Sequence, residues 1–305
     1  MKESKPIGKK RMRAQGSSAL AALPWIGPAL ILILAVVIWP VVELIRASFT
    51  DISNAGSFHG FAGLANFRDL ITNPDLKSVI IRTLVWVAAI VFFTVILSLP
   101  LAQLINQKFP GRKFVRWALI VPWAASVVMT SLIWKWILNA YSGELNLTLA
   151  QLGWIKEPID WMGDPKTSFY FLIWVAVFVS IPFTTFVILA GLQSVPHDIL
   201  EAAWVDGATS WQTYRRIKFP LLRSSLLIAT IINLINVFNS FPIIWVMTKG
   251  GPGYDTDTTT TFAYKLAFIE SNMGQSTALG VINFLFILII VGFYLRITKA
   301  TRTEL

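Results

Sequence analysis

Amide and hydroxyl side chains recur along one apolar stretch and provide the clearest hydrogen-bonding chemistry in the sequence. Asn233, Asn236, Asn239 and Ser240 all lie in the charge-free run 224–248. On a helix with 100° per residue they fall within an arc of about 120°, so they share one face. Polar groups in an apolar layer are costly unless paired or hydrated, and they tend to mark a pathway. Because amides and hydroxyls both donate and accept hydrogen bonds, this face suits a solute rich in hydroxyl groups, such as a sugar.

Hydrogen bonding between neighbouring helices is a second explanation of the same stripe. An earlier apolar run offers partners for either role. Its Phe183 is suited to stack on a sugar face or to pack in a core. Ser180, Pro182, Thr184 and Thr185 interrupt that run, which predicts a broken helix there, and Ser180 joins Phe183 as a candidate pathway residue.

Other kinds of reaction chemistry find little support in the sequence. There is no cysteine, and the two histidines, His59 and His197, are far apart, so thiolate catalysis is excluded and a histidine metal site is disfavoured. The Gly-rich run 248–261 lacks the G-K-[S/T] of a phosphate-binding loop, and no strand precedes it. The sequence therefore predicts no ATP site of that type, no metal site and no catalytic residue.

Acidic residues in the run 140–167 raise the alternative of a glycosidase. Paired carboxylates carry out glycoside hydrolysis, and this run contains four acidic residues, Glu144, Glu157, Asp160 and Asp164. Acidic side chains are also what a solvated loop ordinarily carries, and we favour that interpretation.

The composition predicts the elements that must position these side chains. The 305 residues are 55% hydrophobic and only 14% charged, whereas soluble domains are about a quarter charged. A helix needs roughly 20 apolar residues to cross ~30 Å of hydrocarbon, and continuous apolar runs favour helices over barrel strands. We therefore predict an all-α membrane protein with six transmembrane helices, at about 23–49, 79–105, 114–138, 168–192, 221–246 and 278–297.

The net charge of +10 is distributed in a way that sets topology. Lys and Arg concentrate in the tail 1–19 and in the segments 108–116, 215–223 and 296–302. With six spans these segments lie on one side, which the positive-inside rule assigns to the cytoplasm together with both termini. No basic face is interleaved with aromatic residues, so nucleic acid is not an expected partner, whereas anionic lipid is.

A polar, basic segment separates the fourth and fifth predicted spans, and we call residues 196–221 the elbow. Pro196 and Asp198 suit the start of a helix, and Gly207 can end it because glycine accepts a positive φ. Thr209 and Gln212 have the spacing of a capping box that starts a second helix. The spacing alone fits either a docking surface at the membrane face or an ordinary basic loop that anchors two spans.

The elbow contains a specific motif: E-A-A, three residues, G, nine residues and I-x-[L/F]-P. The matching positions are Glu201, Ala202, Ala203, Gly207, Ile217 and Pro220, with Asp206 beside the glycine and Phe219 in place of the usual Leu. This pattern resembles the EAA loop of the membrane subunits of bacterial ABC importers. The resemblance implies that these residues form a coupling helix, which docks in a cleft of a cytoplasmic ATPase subunit.

Further segments are similar to the permeases of sugar importers: the runs 61–70 and 112–139, and the G-G-P-G at 250–253. This resemblance implies a type I ABC importer transmembrane domain at 20–300, with its core at about 78–298, behind a cytoplasmic tail at 1–19. It also implies a multi-pass protein of the cytoplasmic membrane with a second, similar permease subunit, two ATPase subunits that hold ATP and Mg²⁺, and an extracytoplasmic solute-binding protein. No cofactor is expected on this chain itself.

The resemblance extends to the stripe. Asn233 and Ser240 align with polar sugar-contacting residues of a maltodextrin-importing member of the family. Phe183 aligns with an aromatic residue of that member, whereas Val237 replaces an amide. A disaccharide, an oligosaccharide, a glycerol phosphodiester and glycerol 3-phosphate all stay open as substrates. The main alternative is a self-contained secondary transporter or channel, which would need charged residues near mid-membrane, and the six runs have almost none.

Overall fold

Long apolar helices dominate the computed structural model, which describes residues 15–52 and 57–302. In chain order the first elements are α1 (Gln15–Ile33), α2 (Trp39–Ser48), β1 (Thr50–Ile52), β2 (Phe58–Phe61), α3 (Ala65–Thr72), α4 (Leu76–Asn106), α5 (Arg112–Ala124), α6 (Val127–Ile137) and α7 (Glu144–Gln151). They continue with α8 (Pro165–Gln193), α9 (His197–Val205), α10 (Ser210–Thr213), α11 (Phe219–Leu221), α12 (Arg223–Phe238), α13 (Pro242–Met247), α14 (Thr259–Phe268) and α15 (Met273–Arg302). Two π-helical turns, Leu34–Ile38 and Tyr214–Lys218, join α1 to α2 and α10 to α11, and β1 pairs antiparallel with β2.

Four helices in the described part of the chain are long and apolar enough to cross a membrane. They cover Pro24–Ser48, Leu76–Asn106, Pro165–Gln193 and Met273–Thr298. The bent pair Ser210–Leu221 and Arg223–Phe238 makes a fifth if it is counted as one span. The chain is therefore a multi-pass membrane protein, while the total of six spans stays a prediction.

The core lies where α4 packs along α8 and where α12 and α13 close over them. Trp86 of α4 is fully buried at this junction, and its Nε1 donates a hydrogen bond to the Val237 carbonyl at 3.1 Å. Buried Trp usually finds such a partner, because its N–H is costly to leave unpaired. This contact fixes the last turn of α12 against α4.

The third predicted span, 114–138, is wrong as a continuous helix. The structure divides it into α5, of 13 residues, and α6, of 11 residues. Ser126 between them is extended, with φ −60° and ψ 140°, and serves as the N-cap residue of α6. At 1.5 Å per residue each half is about 16 to 20 Å long, too short to cross ~30 Å of hydrocarbon alone.

The fifth predicted span, 221–246, is also interrupted. Helix α12 ends at Phe238, and α13 starts with Pro242 in its first turn. Proline has no N–H, and its ring clashes with the carbonyl four residues earlier, so α12 cannot continue through this point. A turn at residues 239–241 results, and it carries two residues of the stripe.

The break predicted in the fourth span is wrong, because α8 continues without interruption through Pro182. Neighbouring helices contact α8 on both sides of the proline. Ser98 of α4 donates to the Ile181 carbonyl at 3.2 Å, and the Thr184 hydroxyl accepts a hydrogen bond from Asn233 of α12 at 2.7 Å. Thr184 therefore connects two helices rather than ending one.

The predicted tail 1–19 lies mostly outside the described residues, which begin at Gln15 within α1. Near the end of the first span, Arg46 Nε lies 3.0 Å from Glu43 Oε2, and the two residues form an ion pair three positions apart in sequence.

A cluster of charged groups holds the segment 248–257 against α4 and α14. Arg82 of α4 donates to the carbonyls of Tyr254 at 2.7 Å and Asp257 at 3.3 Å. Lys265 of α14 donates to Asp257 Oδ2 at 2.6 Å and to the Gly253 carbonyl at 2.8 Å. We call Arg82, Asp257 and Lys265 the loop clasp.

The loop clasp contains a buried ion pair, so removal of one charge should be costly. We expect Lys265→Met to destabilise the folded chain by about 3 kcal/mol or more, because it leaves the fully buried Asp257 carboxylate unpaired. The double variant Lys265→Met/Asp257→Leu should regain much of this loss. The measurement is thermal unfolding of the purified protein in detergent, followed by tryptophan fluorescence.

The exposed Glu43–Arg46 pair supplies the matched control. Arg46→Met breaks an ion pair whose side chains are 61% and 34% exposed, and exposed pairs contribute little. A Lys265→Met variant that unfolds at the same temperature as Arg46→Met would contradict the assignment of the loop clasp as a stabilising contact.

Candidate functional site

The first half of the elbow is a short helix that ends in a glycine turn. Pro196 is the N-cap residue of α9, and Asp198 lies in its first turn. After α9 the chain turns at Gly207, whose φ is +74°, and no atom lies within 4 Å of the position a Cβ would take. The turn therefore requires glycine for its backbone conformation and not for lack of space. The predicted helix end at Gly207 is confirmed.

The second half of the elbow starts at the predicted capping box. Gln212 N donates to Thr209 Oγ1 at 3.3 Å, and Thr209 N donates to Gln212 Oε1 at 2.8 Å. These reciprocal bonds satisfy two backbone donors that a helix start would otherwise leave unpaired. The sequence Thr209–Gln212 thus fixes where α10 begins, and with Gly207 it sets the angle between α9 and α10.

The elbow exposes large apolar side chains on an otherwise polar segment. Trp204, Val205 and Trp211 are 64%, 88% and 66% exposed, and Trp211 stacks on Tyr214 with ring centroids 5.9 Å apart. Exposed apolar groups clustered among polar residues are typical of a protein-binding surface. Tryptophan and valine contribute to this surface although the motif did not single them out.

The motif residues of the elbow differ in exposure. Glu201, Ala202, Asp206, Gly207 and Pro220 are exposed, Ile217 is half-buried and Ala203 is buried. Ala203 is covered by its own chain, and its carbonyl accepts the Ala208 N–H at 2.9 Å. It therefore supports the elbow from within, whereas Glu201 and Ala202 are free to meet another protein.

A sharp bend connects the elbow to α12. The segment Ser210–Leu221 meets Arg223–Phe238 at 60°, and Leu222 at the bend is fully buried. Gly191 of α8 lies so close that a Cβ there would collide with the Ser225 side chain. This close approach lets the Ser225 side chain of α12 pack directly against the α8 backbone, as small residues allow in membrane helix pairs.

The six predicted pathway residues meet around one cavity of about 470 Å³ between α5, α6, α8, α12 and α13. They are Ser180, Phe183, Asn233, Asn236, Asn239 and Ser240. Because α12 ends at Phe238, Asn239 and Ser240 reach the cavity from the turn rather than from the helix face. Val237 also contributes to the wall, as an apolar residue.

The stripe contains both paired and unpaired amides. Asn233 Nδ2 donates to Thr184 Oγ1 of α8 at 2.7 Å, and Asn239 Nδ2 donates to the Ile235 carbonyl at 2.9 Å. The side chains of Asn236 and Ser240 make no hydrogen bond within the described part of the chain. The helix-pairing explanation therefore applies to Asn233, while Asn236 and Ser240 keep donors and acceptors available to a solute.

Two of the four acidic residues of the run 140–167, Asp160 and Asp164, have structural roles. Asp164 caps α8 by accepting the Thr167 N–H at 2.9 Å, and this hydrogen bond holds the pKa of Asp164 below its usual value. Asp160 accepts the Met162 N–H. Among the described residues no group of three or more His, Cys, Asp or Glu side chains is placed to hold a metal ion.

Sequence reasoning missed the loop clasp. Burial raises the pKa of Asp257 to about 6, although the neighbouring Lys265 ammonium favours the ionised carboxylate. The sequence does contain a signal for this contact, which is the lysine inside the apolar helix α14. It lies eight residues after an aspartate in a Gly- and Thr-rich segment. A buried lysine needs a partner, and that segment offered one.

This chain is similar in sequence to known transport proteins. Residues 94–303 match the family described as binding-protein-dependent transport system inner membrane component. A probable ABC transporter permease protein of Brucella suis biovar 1 is 42% identical over 277 residues, which cover 91% of this chain and 95% of the relative. The trehalose/maltose transport system permease protein of Thermococcus litoralis is 31% identical over 245 residues, covering 79% and 81%.

A solved structure has the same fold. It is that of a bacterial alginate ABC transporter in complex with an alginate pentasaccharide-bound periplasmic protein, with a TM-score of 0.81, 23% identity and coverage of 95% of this chain and 98% of that one. The family match spans the elbow, the cavity and two of the three loop-clasp residues, Asp257 and Lys265. This chain therefore belongs to the binding-protein-dependent transport system inner membrane components, the permease subunits of ABC transporters.

Proposed function

We propose that this permease carries a carbohydrate inward across the cytoplasmic membrane, driven by ATP hydrolysis on partner subunits. The observation that carries the proposal is the cavity of about 470 Å³ into which Asn236 and Ser240 present unpaired polar groups. Its volume lies in the range of small-molecule sites. The names of the Thermococcus relative and of the solved structure, trehalose/maltose and alginate, refer to carbohydrates.

The cavity lining matches the two kinds of surface that a sugar has. Hydroxyl groups around the ring need donors and acceptors together, which an amide such as Asn236 supplies. The C–H face of the ring is apolar and suits an aromatic side chain, and Phe183 lines the same cavity. The described residues that line the cavity carry no charged side chain. A neutral solute therefore leaves no buried charge without a partner.

The proposed assembly contains a second, similar permease subunit, two ATPase subunits that hold ATP with Mg²⁺, and an extracytoplasmic solute-binding protein. This chain binds no cofactor in the proposal. The solved structure that shares its fold is a complex with a periplasmic protein, which supports the last partner. The exposed apolar surface of the elbow supports the ATPase subunit as the partner that covers it.

The proposed topology has six crossings, with both termini in the cytoplasm. Four are the long helices, the fifth is the bent pair that ends in α12, and α5 with α6 together form the remaining one. In this topology the elbow and the basic segment 108–116 lie on the cytoplasmic side and the loop clasp lies outside, in line with the positive-inside rule.

The elbow is connected to the cavity by a short path through the chain. Movement of α9 passes through the turn at Gly207 to α10, then through the bend at the buried Leu222 to α12, which carries Asn233 and Asn236. Nucleotide binding and release on the ATPase would then shift the population between states in which the cavity opens to opposite sides. Such a shift requires the ATPase subunits to contact the two states differently, and the docked elbow surface provides that contact.

Purification and reconstitution test the proposal directly. The tagged chain, expressed with the genes of its own transporter, should bring an ATPase subunit and a second permease. In proteoliposomes this complex should accumulate a carbohydrate only when ATP is present on the ATPase side. Uptake by the chain alone, without an ATPase, would instead support a secondary transporter or channel.

The turn at Gly207 gives a sharp test of coupling. Gly207→Val should lower substrate-stimulated ATPase activity of the reconstituted complex at least tenfold, because a β-branched residue resists the φ of +74°. Gly207→Asn should retain most of the activity, since asparagine tolerates this conformation. Both variants should insert and assemble normally.

Gly153 is the matched control, with a φ of +72° and equally empty surroundings. Gly153→Val carries the same local strain far from the elbow and should leave stimulated ATPase activity near the wild-type level. Equal effects of the two valine variants would argue against a coupling role for the elbow turn.

Substitution of two amides of the stripe, Asn236 and Asn233, tests its role in transport and its role in stability separately. Asn236→Leu should lower uptake at least tenfold without a change in unfolding temperature, because the Asn236 side chain makes no hydrogen bond to any of the described residues. Asn233→Leu should lower both, since it leaves the buried Thr184 hydroxyl without its donor at a cost of about 1–2 kcal/mol. Normal uptake by Asn236→Leu would refute the pathway role of the stripe.

A further inference from the structure

A second cavity, of about 430 Å³, lies beyond the end of α12, between that end and helices α14 and α15. The two cavities share one lining residue, Asn239. The two cavities together are therefore larger than a single sugar ring requires, and an amide lies at their boundary.

The turn at residues 239–241 separates the two cavities. Ser240 and Pro242 line the first cavity, whereas Phe241 between them lines the second. This alternation is possible because α12 ends at Phe238. In a continuing helix the positions of these side chains would follow the helical step of 100° per residue, whereas in the turn neighbouring side chains point into different cavities. The wall between the cavities is thus a thin turn of backbone rather than a packed helix.

The second cavity contains unpaired polar groups beside aromatic rings. The Tyr264 hydroxyl and the Asn283 amide make no hydrogen bond within the described part of the chain. The rings of Phe241 and Tyr264 lie 5.0 Å apart, and Trp245 packs on Tyr264 at 4.5 Å. Rigid aromatic surfaces with a few free donors and acceptors are the combination that the first cavity also has.

A smaller void of about 80 Å³ adjoins the second cavity, because Asn283 lines both. Thr83 and Thr259 also line the void, and the Thr83 hydroxyl accepts the Thr259 N–H at 2.9 Å. The second cavity is several times larger than this void, so it has the volume of a small-molecule site.

We infer that the second cavity is a further carbohydrate subsite, which binds an additional sugar unit of an oligosaccharide whose first unit occupies the cavity at Asn236. Asn239 lies between the two units, and Tyr264 and Asn283 contact the second. The inference rests on the proposed carbohydrate transport and adds that the substrate has more than two sugar units.

Uptake of oligosaccharides of different length tests the subsite. The probes are maltose-, chitin- and alginate-derived series of one to four units, offered to the reconstituted complex with its own solute-binding protein. Within the series that the wild type transports, Tyr264→Phe/Asn283→Leu should lower the ratio of tetrasaccharide to disaccharide uptake at least tenfold. Asn236→Leu should lower uptake of every length and leave this ratio within twofold.

Two controls keep the result decisive. Tyr264→Phe alone retains the aromatic packing and should lower the ratio measurably. Phe268→Leu changes a ring that contacts Tyr264 at 4.7 Å but does not line the cavity, and it should leave the ratio unchanged. An unchanged ratio in the double variant, or an equal loss at every length, would overturn the subsite while carbohydrate transport stands. No uptake of any series by the wild type would overturn the proposed function and the subsite with it.

Discussion

The cost of an unpaired polar group in hydrocarbon is the constraint on which this structure depends. It requires the backbone to be helical, and it requires each intramembrane amide to find a partner or a wet cavity. Asn233 meets the requirement through Thr184 on the neighbouring helix. Asn236 and Ser240 meet it by facing a cavity. One physical rule thus divides a single stripe into a helix contact and a surface that faces a cavity.

The same rule explains why the interrupted helices lie where they do. The end of α12 leaves backbone groups without helical partners, and the turn after it lines both cavities. Irregular backbone at membrane depth is tolerated where it lines a cavity. Pro242 therefore follows a turn from which Asn239 and Ser240 reach the first cavity.

The elbow and the loop clasp are stabilised by different kinds of contact. The elbow uses local bonds, the capping box of Thr209 and the glycine turn, and leaves an apolar surface uncovered. The loop clasp uses contacts between residues distant in sequence, such as the hydrogen bond from Arg82 to the Asp257 carbonyl. An uncovered apolar surface is available to a partner, whereas Arg82 and Lys265 bind groups of the same chain.

The sequence by itself determined the membrane class, most of the long helices, the elbow with its glycine turn and capping box, and the residues of the first cavity. Each of these follows from local pattern: apolar run length, the φ preference of glycine, or the 100° step of a helix. Only the tertiary structure decided that α8 passes unbroken through Pro182, that Thr184 pairs with Asn233, and that Asp257 is buried against Lys265. These depend on which helices become neighbours, because a partner across the bundle can satisfy a group that its own sequence leaves unpaired.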